Sequence, residues 1–321
     1  MKDKIADILI MNLGKYVSGE TLSRCLNISR TAVWKHIQQL RKEGYIILAA
    51  PRRGYCLSQR PDLLLPEEIK RFLNTKEIGQ VMEHFQIIDS TNRRAKELAF
   101  QGALQGTVVV AEEQTGGRGR VNNRWFSPKG GLWFSVILKP HIVPQQLQII
   151  TLLASLAVVW GIQEMVSLPL KIKWPNDVYL NNRKCAGILT EISAEMDLIN
   201  YIVIGIGINV KVDSKSFPRD LKEKIVSLGK ETDTELFLPE MLAKILNQME
   251  LLYDQALGEG FEKIIEEWRR YDLLLGRQIS VETPLEVISG KSMGINEKGA
   301  LLLKIEQGQI LEVLAGSIIF Q

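Results

Sequence analysis

The stretch Gly116-Gly117-Arg118-Gly119-Arg120, which leads on to Trp125, is the part of the chain around which the rest can be arranged. Three glycines in five residues free the backbone for conformations closed to other residues, and two guanidinium groups supply forked donors that suit phosphate or carboxylate. The stretch therefore predicts a mobile loop that binds an anion. Taken alone it also fits a solvated basic loop, so its neighbours must decide.

Composition describes an ordinary globular protein. At 321 residues, with 45% hydrophobic and 24% charged side chains, the chain is long enough for two or three domains. Its three cysteines are far apart and lack the spacing of a zinc site or redox pair, so we expect a reduced, cytoplasmic compartment. The first residues lack the apolar run of a signal peptide, and Ile149 to Ile162 is too short to span a bilayer. We therefore expect no membrane association and a buried helix within 151–166.

Charge is distributed unevenly along the chain. Residues 1–62 carry 11 Lys or Arg against 5 Asp or Glu, so their net charge is +6, whereas the remainder is −3. Clustered positive charge is typical of a domain that binds nucleic acid, although a basic surface alone is weak evidence.

A helix-turn-helix is predicted within this basic segment. Ser29 is a good N-cap for a helix in which Val33, Ile37 and Leu40 fall at i, i+4 and i+7 and so face the core together. A second helix, capped at Ser18, precedes it. The opposite face of the Ser29 helix carries Thr31, Lys35, Gln38 and Lys42, with Arg30 on its flank, and these five are the DNA-binding candidates of the helix.

A β-hairpin follows this helix. Residues 45–50 and 55–58 read as strands around a tip that carries Arg52 and Arg53, which completes a winged helix-turn-helix and adds two candidates for contact with DNA. A three-helix module that docks another protein is the alternative. Pro61 and Pro66 bracket a linker to the next domain.

Short polar side chains open the second domain. Ser90, Thr91 and Asn92 stand between an apolar run and a helical stretch that ends at Phe100, where they can cap the helix or converge on a small polar ligand. A β-branched strand at 107–111 leads through Gln114 into the Gly/Arg loop, and a further strand covers 131–138.

Three later segments add nucleotide chemistry. Lys173, Asn176 and Asp177 lie within five residues around a proline, which suits a nucleotide phosphate with a magnesium ion bound to Asp177. Lys184 precedes a strand at 186–191 and is placed at its mouth. The strand 202–209 contains two glycines that permit close approach of a ligand or of another backbone, and Asn209 at its end is placed to read an adenine edge.

Other reaction classes find little support. Gly205-Ile206-Gly207 lacks the third glycine of a dinucleotide fingerprint, and Gly290-Lys291-Ser292 lacks the first glycine of a phosphate-binding loop. None of the three histidines lies near a plausible nucleophile in sequence, which disfavours a Ser/His or Cys/His hydrolase.

Six motifs, in order, resemble the signatures of biotin protein ligases. They are Ser90-Thr91-Asn92, Gln114 with Gly117 to Arg120, Trp125 to Pro128, Lys173 to Asp177, Lys184 with Ala186 to Leu189, and Gly205 to Asn209. With its basic N-terminal segment, the chain is similar to the bifunctional kind, ligase and biotin operon repressor in one chain.

The resemblance implies an α+β protein of three domains. These are a winged helix-turn-helix at 1–62, a catalytic domain at 63–273 with a mixed sheet like that of class II aminoacyl-tRNA synthetases, and an SH3-like barrel at 274–321. Short apolar runs at 278–281, 285–289, 293–295, 300–305 and 310–314, with glycines between them, fit such a barrel.

Site roles also follow from the resemblance. Ser90, Thr91 and Gln114 bind the biotin head, and Arg118 and Lys184 hold the carboxylate and phosphate being joined and count as catalytic. The remaining residues expected at the biotin or adenylate are Asn92, Gly117, Gly119, Arg120, Trp125 and Gly187. Lys173, Asn176, Asp177 and Asn209 are expected at the nucleotide. One departure stands out, since Asn123 occupies the place of a usual arginine and Arg124 adjoins Trp125.

The implied reaction uses ATP, biotin and Mg²⁺ to form biotinyl-5'-AMP. Biotin then passes to a lysine on a biotin carboxyl carrier protein domain of acetyl-CoA or pyruvate carboxylase. The adenylate-bound homodimer is expected to bind operator DNA and repress biotin synthesis genes. A factor that only senses biotin, and a lipoate ligase, are the alternatives, and the triphosphate-binding residues and the Gly/Arg loop disfavour them.

Overall fold

The computed structural model describes residues 1–321 except 122, 141, 144, 145, 196, 197, 284 and 321, and the side chains of 195, 220 and 320 lie outside the description. The chain divides into two compact units, Met1–Leu63 and Leu64–Gln321.

The first unit has three helices and a three-stranded sheet. In chain order they are α1 Lys2–Met11, β1 Tyr16–Val17, α2 Gly19–Leu26, α3 Arg30–Lys42, β2 Ile46–Ala50 and β3 Gly54–Gln59. The sheet order is β1-β3-β2, so the predicted hairpin is confirmed. Strand β1 escaped prediction because two residues carry no recognisable alternation.

Local chemistry explains the helix-turn-helix. Ser18 and Ser29 each accept a hydrogen bond from a backbone N–H in the first turn of α2 and α3, which confirms both predicted caps. Asn27 ends α2 in the left-handed region, with φ of 52°. Val33, Ile37 and Leu40 are fully buried, so one stripe of α3 forms the core and the opposite face is presented outward.

The second unit is built on a seven-stranded sheet. Its strands are β4 Met82–Phe85, β5 Val108–Ala111, β6 Leu132–Leu138, β7 Leu170–Lys173, β8 Asp177–Leu180, β9 Arg183–Glu195 and β10 Leu198–Ile208. Their order is β4-β5-β6-β10-β9-β8-β7, and only the β4–β5 pair is parallel. The helices are α4 Pro66–Lys70, α5 Thr91–Phe100, α6 Leu147–Gln163, α7 Arg219–Lys222, α8 Leu238–Glu259 and α9 Glu262–Arg269.

The two faces of this sheet are covered unequally. Helix α6 is buried over almost its whole length and packs with α8 and α9 on one face, against alternate residues of β10 such as Ile204 and Ile206. The predicted buried helix is thus confirmed, although it begins four residues earlier than expected. Helix α5 packs on the other face through Ala95, which meets Val109 and Val203. That second face is only partly covered, which leaves room for a site.

The C-terminal residues form a five-stranded antiparallel sheet, as a β-rich tail predicts. Its strands are β11 Gln278–Glu282, β12 Val287–Ile295, β13 Leu301–Lys304, β14 Ile310–Val313 and β15 Ser317–Phe320, in the order β14-β13-β12-β11-β15. The prediction of separate strands at 285–289 and 293–295 was wrong. Residues 287–289 and 293–295 belong to one strand, β12, whose register shifts near Gly294, at φ of 89°, so the glycine marks an irregularity within that strand.

Candidate active site

A cavity of about 300 Å³ lies on the α5 side of the seven-stranded sheet. Of the residues predicted to bind biotin or the nucleotide, all but Gly117 line it. The lining residues of this set are Ser90, Thr91, Asn92, Gln114, Arg118, Gly119, Arg120, Trp125, Lys173, Asn176, Asp177, Lys184, Gly187 and Asn209. Gly117 lines a neighbouring cleft instead. Segments about 120 residues apart in sequence therefore converge on one hollow.

Glycines of β9 and β10 form the floor of this cavity. Gly205 pairs with Ser135 of β6, and Gly207 pairs with Gly187 of β9. A Cβ atom on Gly205 would overlap Asn92 Oδ1, and one on Gly207 would overlap the indole of Trp125. The glycines are thus required by close approach, although of the Asn92 and Trp125 side chains and not of the ligand or backbone that the sequence predicted.

Polar side chains gather at one end of the cavity. Ser90 accepts a hydrogen bond from the N–H of Arg93, so the capping interpretation is confirmed. Gln114 Oε1 lies 2.8 Å from the backbone N of Thr91 and 3.0 Å from its Oγ1, while Gln114 Nε2 donates to Ser127 Oγ at 2.8 Å. This end suits an uncharged ligand group that both donates and accepts hydrogen bonds.

Backbone hydrogen bonds join the two sides of the Gly/Arg loop. Gly119 N donates to Asn123 O at 2.7 Å, Trp125 N donates to Gly117 O at 3.0 Å, and Arg118 bridges Arg124 in antiparallel fashion. None of the loop's three glycines has a positive φ. The loop therefore does not use the conformational freedom of its glycines in this conformation; Gly117 is needed because a Cβ there would lie 2.5 Å from Trp125 O.

Cationic side chains gather at the other end. Lys184 Nζ lies 2.7 Å from Asp177 Oδ1. Lys173 Nζ donates to Ile318 O at 3.2 Å, and Arg120 lies 3.4 Å from both Asn176 Oδ1 and a backbone carbonyl of the C-terminal sheet. Burial lowers the pKa of Lys173 and of Arg120, against the opposing charge of Asp177. Partly desolvated cations of this kind bind anions strongly.

Three buried polar atoms near the cations lack a hydrogen-bond partner in the described part of the chain. They are Asn209 Oδ1, Trp125 Nε1 and Asp177 Oδ1, of which the last has the Lys184 ammonium 2.7 Å away as an ion-pair partner. The indole of Trp125 lies against Gly187 and Gly207. Buried polar groups are normally paired, so these atoms mark where a ligand is to be expected. An amide acceptor and an aromatic face suit a nucleobase.

Several lining residues were missed from sequence. Phe217, Leu221 and Ile225 belong to a segment that runs beside β9, where Lys184 N donates to Lys224 O at 2.9 Å. Residues 316–318 enter the cavity from the C-terminal sheet. Neither segment carries a motif. Lys184 itself is the second residue of β9, close to the strand mouth that was predicted.

The departure at residues 123–124 has a structural account. The Arg124 guanidinium lies 4.8 Å from the ring centroid of Phe126 and 3.5 Å from Thr115 O. The side chain therefore packs on the loop's own flank, where it also borders the cavity, and we assign it no phosphate role.

The outward face of α3 presents the predicted DNA-binding side chains. Thr31, Lys35 and Lys42 are exposed, and Gln38 is half-buried. Arg30 forms an ion pair with Glu20 of α2, with an N–O distance of 2.9 Å. On the wing, Arg52 is exposed and has a φ of 62°.

Arg53 is the other wing-tip arginine. Its guanidinium carbon lies 4.1 Å from the ring centroid of Tyr16 in β1, so a cation–π contact holds it against the sheet. Of the seven DNA-binding candidates, Arg30 and Arg53 are thus held by neighbours in the same unit.

The fold and the cavity define a ligase of the biotin/lipoate A/B protein ligase family, whose sequence model matches residues 84–209. Models of an HTH domain and of a biotin protein ligase C-terminal domain match residues 2–56 and 274–321. More particularly, the chain belongs to the bifunctional ligase/repressors. It is 41% identical to the bifunctional ligase/repressor BirA of Bacillus subtilis over 295 residues, covering 92% of this chain and 91% of that protein.

Other relatives agree. BirA of Escherichia coli is 31% identical over 327 residues, covering 99% of this chain and 98% of that protein. The solved biotin protein ligase of Aquifex aeolicus in complex with biotin and ATP is 30% identical, with a TM-score of 0.66, and the match covers 75% of this chain and 98% of that one. Among the described helices, none is both long and apolar enough to cross a bilayer.

Proposed function

We propose that this chain joins biotin to ATP to form biotinyl-5'-AMP, transfers biotin to a lysine of a biotin carboxyl carrier protein domain, and represses biotin synthesis genes. The observation that carries the proposal is one cavity with two chemically different ends. The Thr91 and Gln114 end offers neutral hydrogen-bonding groups, and the Lys173 and Lys184 end offers cations. A ligand with an uncharged polar head, linked through its carboxylate to a nucleotide, matches both.

The first step joins a carboxylate to phosphorus. A carboxylate oxygen attacks the α-phosphorus of ATP, the bond to the bridging oxygen breaks, and pyrophosphate leaves with the electron pair. We assign Arg118 and Lys184 to the carboxylate and α-phosphate, because cations there offset repulsion between the two anions and stabilise charge on the equatorial oxygens. Positioning supplies the rest of the catalysis.

The second step transfers the acyl group. A neutral lysine amine of the carrier domain attacks the acyl carbon, and the bond to the phosphate oxygen breaks, so AMP leaves and the amide nitrogen loses a proton. The two steps together form one amide bond and convert one ATP into AMP and pyrophosphate. No nucleophile of the enzyme is needed, which agrees with a cavity lined by cations and amides.

Magnesium is proposed to arrive with the nucleotide. Among the cavity-lining residues described, Asp177 is the single carboxylate, and it is paired with Lys184. No cluster of three or more metal-ligating side chains was found in the described residues. One carboxylate suffices where phosphates and water complete the octahedron, so Asp177 fits Mg²⁺ in that way. When bound, the ion neutralises charge on the leaving pyrophosphate.

Repression is assigned to the first unit. Helix α3 presents Lys35 and Lys42 outward, as entry into a major groove requires. We propose that the adenylate-bound protein is a homodimer, since two-fold symmetry would place two such helices on successive grooves of a palindromic operator.

We further propose domain boundaries at 62/63 and 273/274. We also propose that the protein is located in the cytoplasm, where its free cysteines would stay reduced.

Two alternatives are less well supported. A protein that only senses biotin has no use for Lys173, Asp177 and Lys184 in the same cavity. A lipoate ligase would present a dithiolane ring, which has no N–H or carbonyl group for Thr91 and Gln114 to meet. The polar end therefore favours biotin.

One incubation tests the proposal. The full chain is mixed with ATP, Mg²⁺ and labelled biotin, with and without a carrier domain. We expect pyrophosphate release in both mixtures and label on the carrier lysine only when the carrier is present. Biotin binding without pyrophosphate release would support a protein that only senses biotin. Labelling of the carrier with lipoate in preference to biotin would support a lipoate ligase.

A further inference from the structure

A chain of hydrogen bonds runs beneath the polar end of the cavity. It begins at Lys96, whose Nζ lies 2.8 Å from Glu191 Oε1, and continues from Glu191 Oε2 to Asn92 Nδ2 at 2.9 Å. Asn92 Oδ1 then lies 2.6 Å from Ser135 Oγ, which is 2.8 Å from Thr91 Oγ1. Lys96 and Glu191 do not line the cavity, and neither does the fully buried Ser135. We call this set the Glu191 relay.

The carboxylate fixes the direction of every bond in the relay. An ionised Glu191 only accepts hydrogen bonds, so Asn92 must turn its amide nitrogen toward it and its carbonyl oxygen toward Ser135. Burial raises the pKa of Glu191, but hydrogen bonds from Lys96 and Asn92 together lower it by more. The pKa of Glu191 is therefore below its ordinary value, and the carboxylate stays ionised. Asn92 Oδ1 therefore takes the single hydroxyl proton of Ser135.

Proton counting then leaves the relay one proton short. Ser135 Oγ, Thr91 Oγ1 and Gln114 Oε1 form two more contacts, of 2.8 and 3.0 Å, and Thr91 holds the only hydroxyl proton left for both. Gln114 supplies no proton to either contact, because its Oε1 only accepts, including from the backbone N–H of Thr91 at 2.8 Å, and its Nε2 donates to Ser127. Whichever contact receives the proton, the other brings two oxygens together without one, and Thr91 has no proton to offer a ligand.

We propose that Glu191 and Lys96 are positioning residues that leave the Glu191 relay one hydrogen-bond proton short. The site then selects a ligand whose ring N–H supplies that proton. The inference rests on the proposed function and extends it, since the uncharged head of biotin carries such N–H groups. Gly205 belongs to the arrangement, because a Cβ there would overlap Asn92 Oδ1. The relay thus links a half-exposed ion pair to the choice of ligand.

The test reverses the relay without changing its shape. In Glu191→Gln, the Lys96 ammonium holds the amide oxygen, so the new amide nitrogen faces Asn92 and the Asn92 side chain must flip. Ser135 then accepts from Asn92 and donates to Thr91, which donates to Gln114, and every contact has a proton without a ligand. We expect the Kd and KM for biotin to rise about 5- to 150-fold, with kcat changed little.

A double variant separates direction from charge. In Lys96→Met/Glu191→Gln the amide oxygen can turn back toward Asn92, so biotin affinity should return most of the way to the wild-type value. Glu97→Gln is the matched control, since Glu97 lies on the same helix and pairs with Arg94 outside the relay, and it should bind biotin as the wild type does. Ser135→Ala, which removes the middle of the relay, should weaken biotin binding in the same direction as Glu191→Gln.

The outcomes are distinct. Wild-type biotin affinity in Glu191→Gln or in Ser135→Ala would overturn the proposal, and so would a double variant no better than Glu191→Gln, which would show that only charge mattered. Calorimetric titration with biotin and steady-state pyrophosphate release give these values, and circular dichroism checks folding. A wild-type protein that releases no pyrophosphate would count against the proposed function rather than against the relay.

Discussion

The ammonium group of Lys184 lies 2.7 Å from a carboxylate oxygen of Asp177, across the pairing of β8 with β9. Both side chains are mostly buried in the cavity wall, with 25% and 17% of the side chain exposed. The ammonium also lies 5.1 Å from the ring centroid of Trp125. Asp177 therefore holds Lys184 where an anion is proposed to bind. A nucleotide phosphate must either compete with Asp177 for the ammonium group or bind to it as a second anion.

Lys184→Ala should slow adenylate formation strongly while leaving the fold intact. Losing a charge-assisted hydrogen bond costs ~1.5–3 kcal/mol, which corresponds to roughly 10- to 150-fold in rate. Pyrophosphate release at saturating biotin and ATP is the measurement. Lys171→Ala is the control, because Lys171 is exposed on β7 outside the cavity. Wild-type release by Lys184→Ala would refute the assignment.

Gly207→Ala should impair nucleotide binding more than it impairs folding. The added methyl group would overlap the indole of Trp125, which must then shift into the space proposed for the nucleotide. Forced shifts of this kind cost about 1–3 kcal/mol, so the KM for ATP should rise about 5- to 150-fold. Gly258→Ala, where nothing lies within 4 Å, should behave as the wild type. An unchanged KM for ATP in Gly207→Ala would show that the indole does not border the nucleotide.

Sequence patterns predicted the elements that have a strong local signal. The caps at Ser18 and Ser29 follow from side-chain chemistry, and the buried helix α6 follows from its apolar run. All three predictions were confirmed. The cavity residues with motifs were also found together. Segments that reach the site only through tertiary packing gave no such signal, as for Ser135, which looks like an ordinary strand residue.

The Gly/Arg loop shows a different limit. Its glycine content suggested unusual backbone angles, yet Gly117 is required because Trp125 O approaches it. Close approach depends on a partner eight residues away, which composition does not reveal. The strand division around Gly290 failed for a similar reason, since a glycine can interrupt a pattern without ending a strand.

Binding of operator DNA should depend on salt through the outward lysines of α3. If Lys35 and Lys42 each contact a phosphate, replacing either with alanine should make the slope of log affinity against log salt shallower by about 0.9. Lys4→Ala is a matched control, because Lys4 is an exposed lysine of α1 in the same unit. Fluorescence anisotropy at four salt concentrations gives the slopes. Equal slopes for all three variants and the wild type would refute α3 as the DNA-contacting face.

The two arginines of the loop should link retention of the adenylate to dimerisation. Arg118 is exposed at the cavity, whereas Arg120 is anchored 3.4 Å from Asn176 Oδ1 and from Gly316 O. If each holds the adenylate, Arg118→Gly and Arg120→Gly should release it ~10- to 150-fold faster, as expected for one charged hydrogen bond. Escaped adenylate should then acylate lysines of unrelated proteins added to the mixture.

The same variants should weaken ligand-induced dimerisation, because ordering the loop around the adenylate costs ~1–2 kcal/mol for each residue fixed and this ordering is what the dimer is proposed to need. Adenylate dissociation and sedimentation of the liganded protein are measured side by side, with Lys129→Ala as a control, because Lys129 is an exposed cation just after the loop and does not line the cavity. Faster release with unchanged dimerisation would confine the loop to catalysis. Wild-type values for both would remove it from either role, and only the joint loss supports a loop that couples ligation to repression.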